Sequence, residues 1–271
     1  MKPYFKNDTV TLYHGDCFDI LPSLAPCAFD AVITDPPYGT TNCPWDKKIN
    51  IPLFWSLVPM ITKKNCASII FSQLPFGCDL INANRVNFRY EIVWNKTCAC
   101  GFLNAKKMPL RAHENILVFY RMLPTYNPQK NDSGKKVKHK KFTGSVIDRT
   151  RDGCYGSHQR RNTNGLEWFD TGKRFPTDVI SFSNWNGGGI NGSREAVIHP
   201  TQKPVSLIEY LIRTYTNEAE SILDPFAGSG TAGVAAMRTG RRAVLIELEE
   251  KYCEMAAKRL EAEFIGKEPL K

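Results

Sequence analysis

No stretch of this 271-residue chain approaches the roughly 18–20 consecutive apolar residues of a membrane helix. No secretory leader opens it, so a soluble, cytoplasmic protein is the expectation. Cysteines at metal-ligand spacing are also missing. The nine cysteines are odd in number and scattered. Cys66 falls inside the apolar run "CASIIFS", and the "CAC" at Cys98 and Cys100 lacks the spacer of a zinc site. Reduced thiols and no bound metal are expected. Neither the G-x-G-x-x-G of dinucleotide folds nor the Lys-Ser/Thr of a P-loop follows any glycine turn. There is no internal repeat. Acidic residues are the minority, 27 against 36 Lys and Arg, which leaves +9.

What is present suits one large α/β domain, or a domain carrying an insertion. Hydrophobic residues make up 42% of the chain, enough for a sizeable core. The positive charge is concentrated: residues 121–180 hold 13 Lys or Arg and 6 Asp or Glu, hence +7 of the +9. "KKVKHKK" (135–141), "DRTRDG" and "HQRRNTNG" are interleaved there with Phe142, Tyr155 and Trp168. A solvated loop is the bland explanation, but basic clusters with aromatics suit a polyanion, and nucleic acid is the favoured partner.

Hydrophobic patterning predicts strands at 10–14, 29–34, 66–72, 90–96 and 114–120, and a helix over 52–61 that tolerates Pro59. From 121 to about 195 the pattern fails, and "NWNGGGINGS" (184–193) reads as loop. Val205, Ile208, Leu211, Ile212 and Tyr215 then recur at helical spacing, with Pro204 at a first-turn position. The segment 221–263 parses as strand 221–224, glycine turn, helix 229–239, strand 242–247 and helix 249–263. That is a βαβα unit of a parallel sheet covered on both faces.

Two strands end in acids. In "FDAVITDPPYGT" (29–40) Asp35 closes an apolar run, and Pro36 and Pro37 forbid the ladder to continue. Taken alone, this is equally a proline-rich turn with an acid cap. In "LDPFAGSG" (223–230) Asp224 ends a strand, and Gly228 and Gly230 precede a helix whose free N–H groups face any ligand. By itself such a turn serves tight packing or ligand binding. Glu247, at the end of the next strand and 17 residues beyond Gly230, can grip a ribose diol, which favours a nucleoside-bearing ligand. Glu249 and Glu250 read as first-turn helix acids.

Together "DPPY" (35–38), "HPTQKP" (199–204) and "DPFAGSG" (224–230) resemble the S-adenosylmethionine-dependent methyltransferases that modify exocyclic amino groups of DNA bases. The order, catalytic motif, basic insert, "HPTQKP" and then "DPFAGSG", is similar to that of the β group. "HGDCFDIL" (14–21), "EIVWNK" (91–96) and "HENILVFYR" (113–121) also look like family segments, so the likeness spans nearly the whole chain.

The resemblance implies a class I methyltransferase fold, an α/β, Rossmann-like, doubly wound and mostly parallel sheet with an irregular basic insert. Residues 1–120 would form the catalytic half, 121–195 a target-recognition insert and 196–271 the cofactor half. S-adenosylmethionine would be bound by Asp224, Phe226, Gly228, Ser229, Gly230 and Thr231, with Glu247 on the ribose. His199, Thr201 and Lys203 would lie by the methionine end, and Asp16 and Cys17 near the adenine. Double-stranded DNA would meet Lys106, Lys107, Arg111, Lys135, Lys136, Lys138, Lys140, Lys141, Arg160 and Arg161. A homodimer and a companion restriction endonuclease are the further partners the family brings.

An exocyclic amine is a poor nucleophile because its lone pair is delocalised into the ring. Asp35 and a backbone carbonyl fixed by Pro36 and Pro37 could accept hydrogen bonds from it, and Tyr38 could stack on an extruded base. "DPPY" is the form usual for adenine-N6 enzymes, whereas cytosine-N4 enzymes more often begin the motif with Ser. RNA and protein-amide methyltransferases commonly begin it with Asn, and a silent DNA-binding relative would carry a broken motif. Adenine-N6 methylation is therefore the expectation, with cytosine-N4 the alternative.

Overall fold

The computed structural model describes residues 1–40, 46–132, 138–141, 167–184 and 202–265, with the backbone alone for 138–141 and 167–170. In chain order the elements are β1 (Phe5–Lys6), β2 (Val10–His14), α1 (Cys17–Ile20), β3 (Phe29–Thr34), α2 (Ile51–Ile61), β4 (Thr62–Ser72), α3 (Phe76–Ala83), β5 (Phe88–Cys100) and β6 (Arg111–Phe119). After them come β7 (Asn131–Asp132), β8 (Lys138–Lys141), β9 (Glu167–Asp170), β10 (Lys173–Arg174) and β11 (Val179–Phe182). The last are α4 (Val205–Tyr215), β12 (Ser221–Asp224), α5 (Thr231–Thr239), β13 (Arg242–Glu247) and α6 (Glu250–Ile265).

Two compact units result, one of residues 1–127 with 177–271, the other of 128–176. In the smaller unit β8 pairs antiparallel with β9, and β10 with β7. Among its described side chains, Lys130 Nζ lies 4.4 Å from the centre of the Phe175 ring.

The larger unit is built on a sheet that, among the described residues, has nine strands in the order β1-β2-β13-β12-β3-β4-β6-β5-β11. From β2 to β4 every neighbour is parallel, whereas β6 runs antiparallel between β4 and β5. Successive side chains of a strand face opposite ways, and both faces here are apolar. Ala31 and Ile33 of β3 pack with α4, α5 and α6, while Val32 between them packs with α1, α2 and α3. Ile222 and Leu223 of β12 divide in the same manner, as do Leu245 and Ile246 of β13. A doubly covered sheet follows from such near-continuous apolar runs.

Local chemistry sets the ends of the helices. Asn50 caps α2, its Oδ1 accepting from Leu53 N–H at 3.1 Å, and Pro59 is carried inside that helix. Helix α5 begins at Thr231, not at 229, because Gly230 has φ +76° and cannot be helical. A Cβ on Gly233, inside α5, would meet Leu260 and Leu245 side-chain carbons at 2.7 and 2.8 Å. Glycine costs about 1 kcal/mol in a helix interior, and here it allows α5 to lie hard against the sheet and α6. The segment 76–83, for which no helix was expected, forms α3. Strand β11, inside the stretch expected to be irregular, pairs parallel with β5 over Val93–Lys96. Among the described residues no helix is long and apolar enough to cross a membrane.

Candidate active site

The strand order reverses between β12 and β3. From β12 the chain crosses to β13 on one side, and from β3 to β4 on the other. A crevice opens at the carboxyl ends of strands at such a point. It holds a cavity of about 660 Å³ lined by Asp35, Asp224 and Glu247 among others, within the size range that encloses a ligand of nucleotide dimensions.

Three neighbouring strands each deliver an acid to this crevice. Asp224 ends β12 and Glu247 ends β13, both buried. Asp35 follows β3 directly. Thr34 Oγ1 donates to Asp224 Oδ1 at 2.6 Å, and Phe226 N–H donates to the same oxygen at 3.2 Å. Burial nonetheless pushes the Asp224 carboxyl up to about 7, with Asp35 and Glu247 adding to the rise. Glu247 Oε2 accepts from Gly228 N–H at 2.7 Å, and Oε1 from Glu249 N–H at 2.9 Å. The carboxylate thus holds the glycine turn and the start of α6 together, although burial raises its pKa as well. Gly228 has φ +53°, and a Cβ built on it would meet nothing within 4 Å. The backbone of the turn faces open space in the crevice. Arg259 Nη1 donates to Thr231 Oγ1 at 3.0 Å and to Ser229 Oγ at 3.3 Å, closing the turn from α6.

On the other side of the reversal, Tyr38 Oη donates to Asp35 Oδ1 at 2.5 Å. The Tyr38 ring packs against Phe76, with centres 5.2 Å apart. Asp46, buried, accepts from the N–H groups of Gly39 and Thr40 at 2.8 and 2.9 Å and so fixes the chain just after Tyr38. Lys203 Nζ forms an ion pair with Asp35 Oδ2 and stands 3.5 Å from Glu114 Oε2. Glu114 Oε1 is paired with Lys96. Two cations and two acids therefore alternate as Lys96, Glu114, Lys203 and Asp35. Burial works to raise the Glu114 pKa, but Lys203 and Lys96 outweigh it and hold it low. Burial works to lower that of Lys203, but Asp35 and Glu114 outweigh it and hold it high. For Asp35, burial wins over Lys203, and its carboxyl is raised.

Of the residues expected from sequence, Asp35, Pro36, Pro37, Tyr38, Asp16, Cys17, Lys203, Asp224, Phe226, Gly228, Ser229, Thr231 and Glu247 all line this one cavity. Asp16 is the N-cap of α1, accepting from Phe18 N–H at 2.8 Å, and Cys17 is buried beneath it. Gly230 stands behind the turn, where a Cβ would meet that of Ala256 at 3.0 Å. Lys203, expected at the methionine end of a cofactor, forms an ion pair with Asp35. Lys106, Lys107 and Arg111 are exposed, and Arg111 Nη1 donates to Gln73 Oε1 at 2.8 Å. His199, Thr201, Lys135, Lys136, Arg160 and Arg161 lie outside the described residues, as do the side chains of Lys138, Lys140 and Lys141. Among the described residues no group of three His, Cys, Asp or Glu could hold a metal ion.

Glu114 and Lys96 were missed in the sequence reading. Their signal is close to the one that marked Asp35: a charge at the edge of a mostly apolar run, in "ENILVFY" and "YEIVWNK".

A Rossmann-like sheet with a glycine turn and an acid at the end of the following strand is a nucleoside-binding arrangement, and likeness to solved structures makes it that of the class I S-adenosylmethionine-dependent methyltransferases. The family model N6_N4_Mtase, described as DNA methylase, matches residues 29–258, and the chain belongs to that family. It is 30% identical to the type II methyltransferase M2.DpnII of Streptococcus pneumoniae, over 97% of this chain and 93% of the relative. It is 26% identical to the DNA adenine methyltransferase YhdJ of Escherichia coli K12, over 95% and 84%. Among solved structures, the M1.HpyAVI–SAM complex aligns with TM-score 0.60 and 25% identity, covering 93% of this chain and 98% of that one. The cytosine-N4-specific PvuII DNA methyltransferase aligns with TM-score 0.62 and 15% identity, covering 97% and 94%. The protein is thus a DNA methyltransferase that uses S-adenosylmethionine.

Proposed function

We propose that this enzyme methylates the exocyclic N6 of adenine in double-stranded DNA, acting on a base extruded from the helix. The observation that carries the reading is Asp35, an acid fixed between Tyr38 and Lys203 at the strand-order reversal, on the side away from the glycine turn. Adenine is favoured by the "DPPY" form of the motif and by the likeness to a DNA adenine methyltransferase over nearly the whole chain. Labelled methyl transfer followed by nucleoside analysis tests the choice: N6-methyladenine is expected, and N4-methylcytosine would overturn adenine while leaving the enzyme class intact.

The cavity suits the cofactor. Glu247 presents a carboxylate for a ribose diol, the Gly228 backbone leaves room for close approach, and Asp16 and Cys17 border the adenine end. Asp224 and Phe226 take the middle, with Ser229, Gly230 and Thr231 shaping the turn. When bound, S-adenosylmethionine supplies an electrophilic methyl group on a sulfonium. This chain's residues then act on the amine. Asp35 accepts a hydrogen bond from the exocyclic N–H, holding the nitrogen lone pair out of conjugation, and takes up the proton the nitrogen sheds. The raised pKa of Asp35 strengthens it as that base. Pro36 and Pro37 fix the loop in advance, so little reorganisation remains for the transition state. The half-buried ring of Tyr38 gives the extruded base a stacking face. We assign residues 121–195 to target recognition, with their basic clusters on DNA phosphates.

Lys203 serves as a positioning residue for Asp35. In Lys203→Met the Asp35 carboxyl loses its cation while Glu114 remains, so its pKa rises further and it ionises only at higher pH. The acid limb of the pH–rate profile is expected to move upward, with kcat near neutrality falling by at least about tenfold. An unmoved limb would contradict the role.

Asp224 gives the cofactor step its own pH dependence. With its carboxyl raised from the ordinary carboxylate range to about 7, the fold without cofactor favours the protonated form below that pH, and the stability this contributes is lost as pH rises from about 4 through about 7. A cationic ligand favours the carboxylate. Cofactor affinity is therefore expected to rise between about pH 6 and about pH 8, with proton release on binding. Calorimetry in buffers of different ionisation heats measures both, and a pH-independent Kd with no released proton would contradict it.

A further inference from the structure

We propose that the turn Phe102–Asn104 is a wedge that enters the DNA stack and fills the gap left by the extruded base. The inference rests on reading the neighbouring cavity as the site of that base. The turn lies in the connection between β5 and β6, and both ends of this connection are fastened to the cavity rim. Cys98 N–H donates to Asn184 Oδ1 and Asn184 Nδ2 donates to Cys98 O, each at 2.9 Å. Cys100 pairs with Arg111, whose guanidinium is held by Gln73. Cys100, Arg111, Asn184 and Gln73 line the same cavity as Asp35.

The tip is ordered by its own backbone. Asn104 N–H donates to Gly101 O at 2.9 Å, Ala105 N–H to Phe102 O at 3.1 Å, and Lys107 N–H to Asn104 O at 2.8 Å. Yet this firm turn gives its two largest apolar side chains to solvent, Phe102 being 77% and Leu103 100% exposed. Isolated exposed apolar residues are ordinary, but this adjacent pair is followed by the exposed cations Lys106, Lys107 and Arg111. Apolar tip and basic shoulder together match a duplex: the tip can replace lost base stacking while the cations meet phosphates on either side. A partner protein would gain from the apolar tip but has no need of the cations, so DNA is the favoured occupant.

The test is the double variant F102A/L103A, assayed on an oligonucleotide duplex of the site mapped from DNA methylated by the wild type. One duplex carries the normal base pair, and a second has an abasic site opposite the target base. Extrusion is costly in the first and largely prepaid in the second. On the paired duplex kcat/KM is expected to fall by about tenfold or more, and on the abasic one by less than about twofold. Equal losses on both substrates, or no loss on either, would overturn the wedge. So would a switch of oligomeric state in sedimentation with methylation unchanged, which would make the tip a protein contact. Failure of the wild type to methylate any DNA would remove the function reading itself, and the wedge with it.

Discussion

Asp35→Ala is expected to lower kcat for methyl transfer by about a thousandfold while cofactor binding changes little. The carboxylate lies across the strand reversal from the glycine turn and bonds to Tyr38 and Lys203, not to the turn. Its work falls on the target amine, which is absent when the cofactor binds alone, so its loss appears in turnover. Removing it leaves the two cations Lys96 and Lys203 sharing the one acid Glu114, so a melting curve on the same preparation checks that the fold holds. Single-turnover methylation and calorimetry on the same preparation separate the two effects. A variant with near-wild-type turnover would remove Asp35 from the mechanism.

Glu247→Ala is expected to act in the opposite way. A ribose hydrogen bond to a buried carboxylate contributes about 1.5–3 kcal/mol, so the cofactor Kd should rise by roughly ten- to a hundredfold. Part of that loss comes through the fold, because the same carboxylate holds Gly228 N–H and Glu249 N–H. Glu247→Gln keeps an acceptor for one of these and should fall between. With saturating cofactor the turnover of both variants should recover most of its wild-type value. Unchanged affinity in Glu247→Ala would place the ribose elsewhere.

Most of the fold could be read from the chain because local signals and tertiary demand agree. From 221 to 265 each strand is a short apolar run, the turns on either side of α5 carry glycine, and each helix follows directly on its turn. Where they disagree, the reading failed. Helix α3 contains Gly77 and a single turn of buried residues, too short for periodicity to declare it. Strand β4 begins at Thr62, four residues before its apolar run, because polar Lys63–Asn65 pattern like a loop. Strand β11 was hidden in polar surroundings, and its order comes from pairing with β5, a partner some 86 residues away as in Asn95–Ser181.

The site shows the same division. Asp35, Asp224 and Glu247 were visible because an acid ending an apolar run is locally anomalous. That Lys203 belongs to Asp35 was not visible, since 168 residues separate them and they meet only because α4, which Lys203 precedes, packs on β3. Nor could the alternation of Lys96 and Glu114 with that pair be seen, for it depends on β6 being inserted antiparallel beside β5.

The most direct measurement supplies S-adenosylmethionine labelled in its methyl group, with chelator present, and offers duplex DNA, RNA and protein as separate acceptors. Label should enter the duplex DNA, be recovered on the exocyclic amine of adenine, and fall to background with Asp35→Ala. Label appearing in RNA or protein instead, or on a ring carbon of a base, would contradict the assignment of Asp35 and its crevice to amine methylation in DNA.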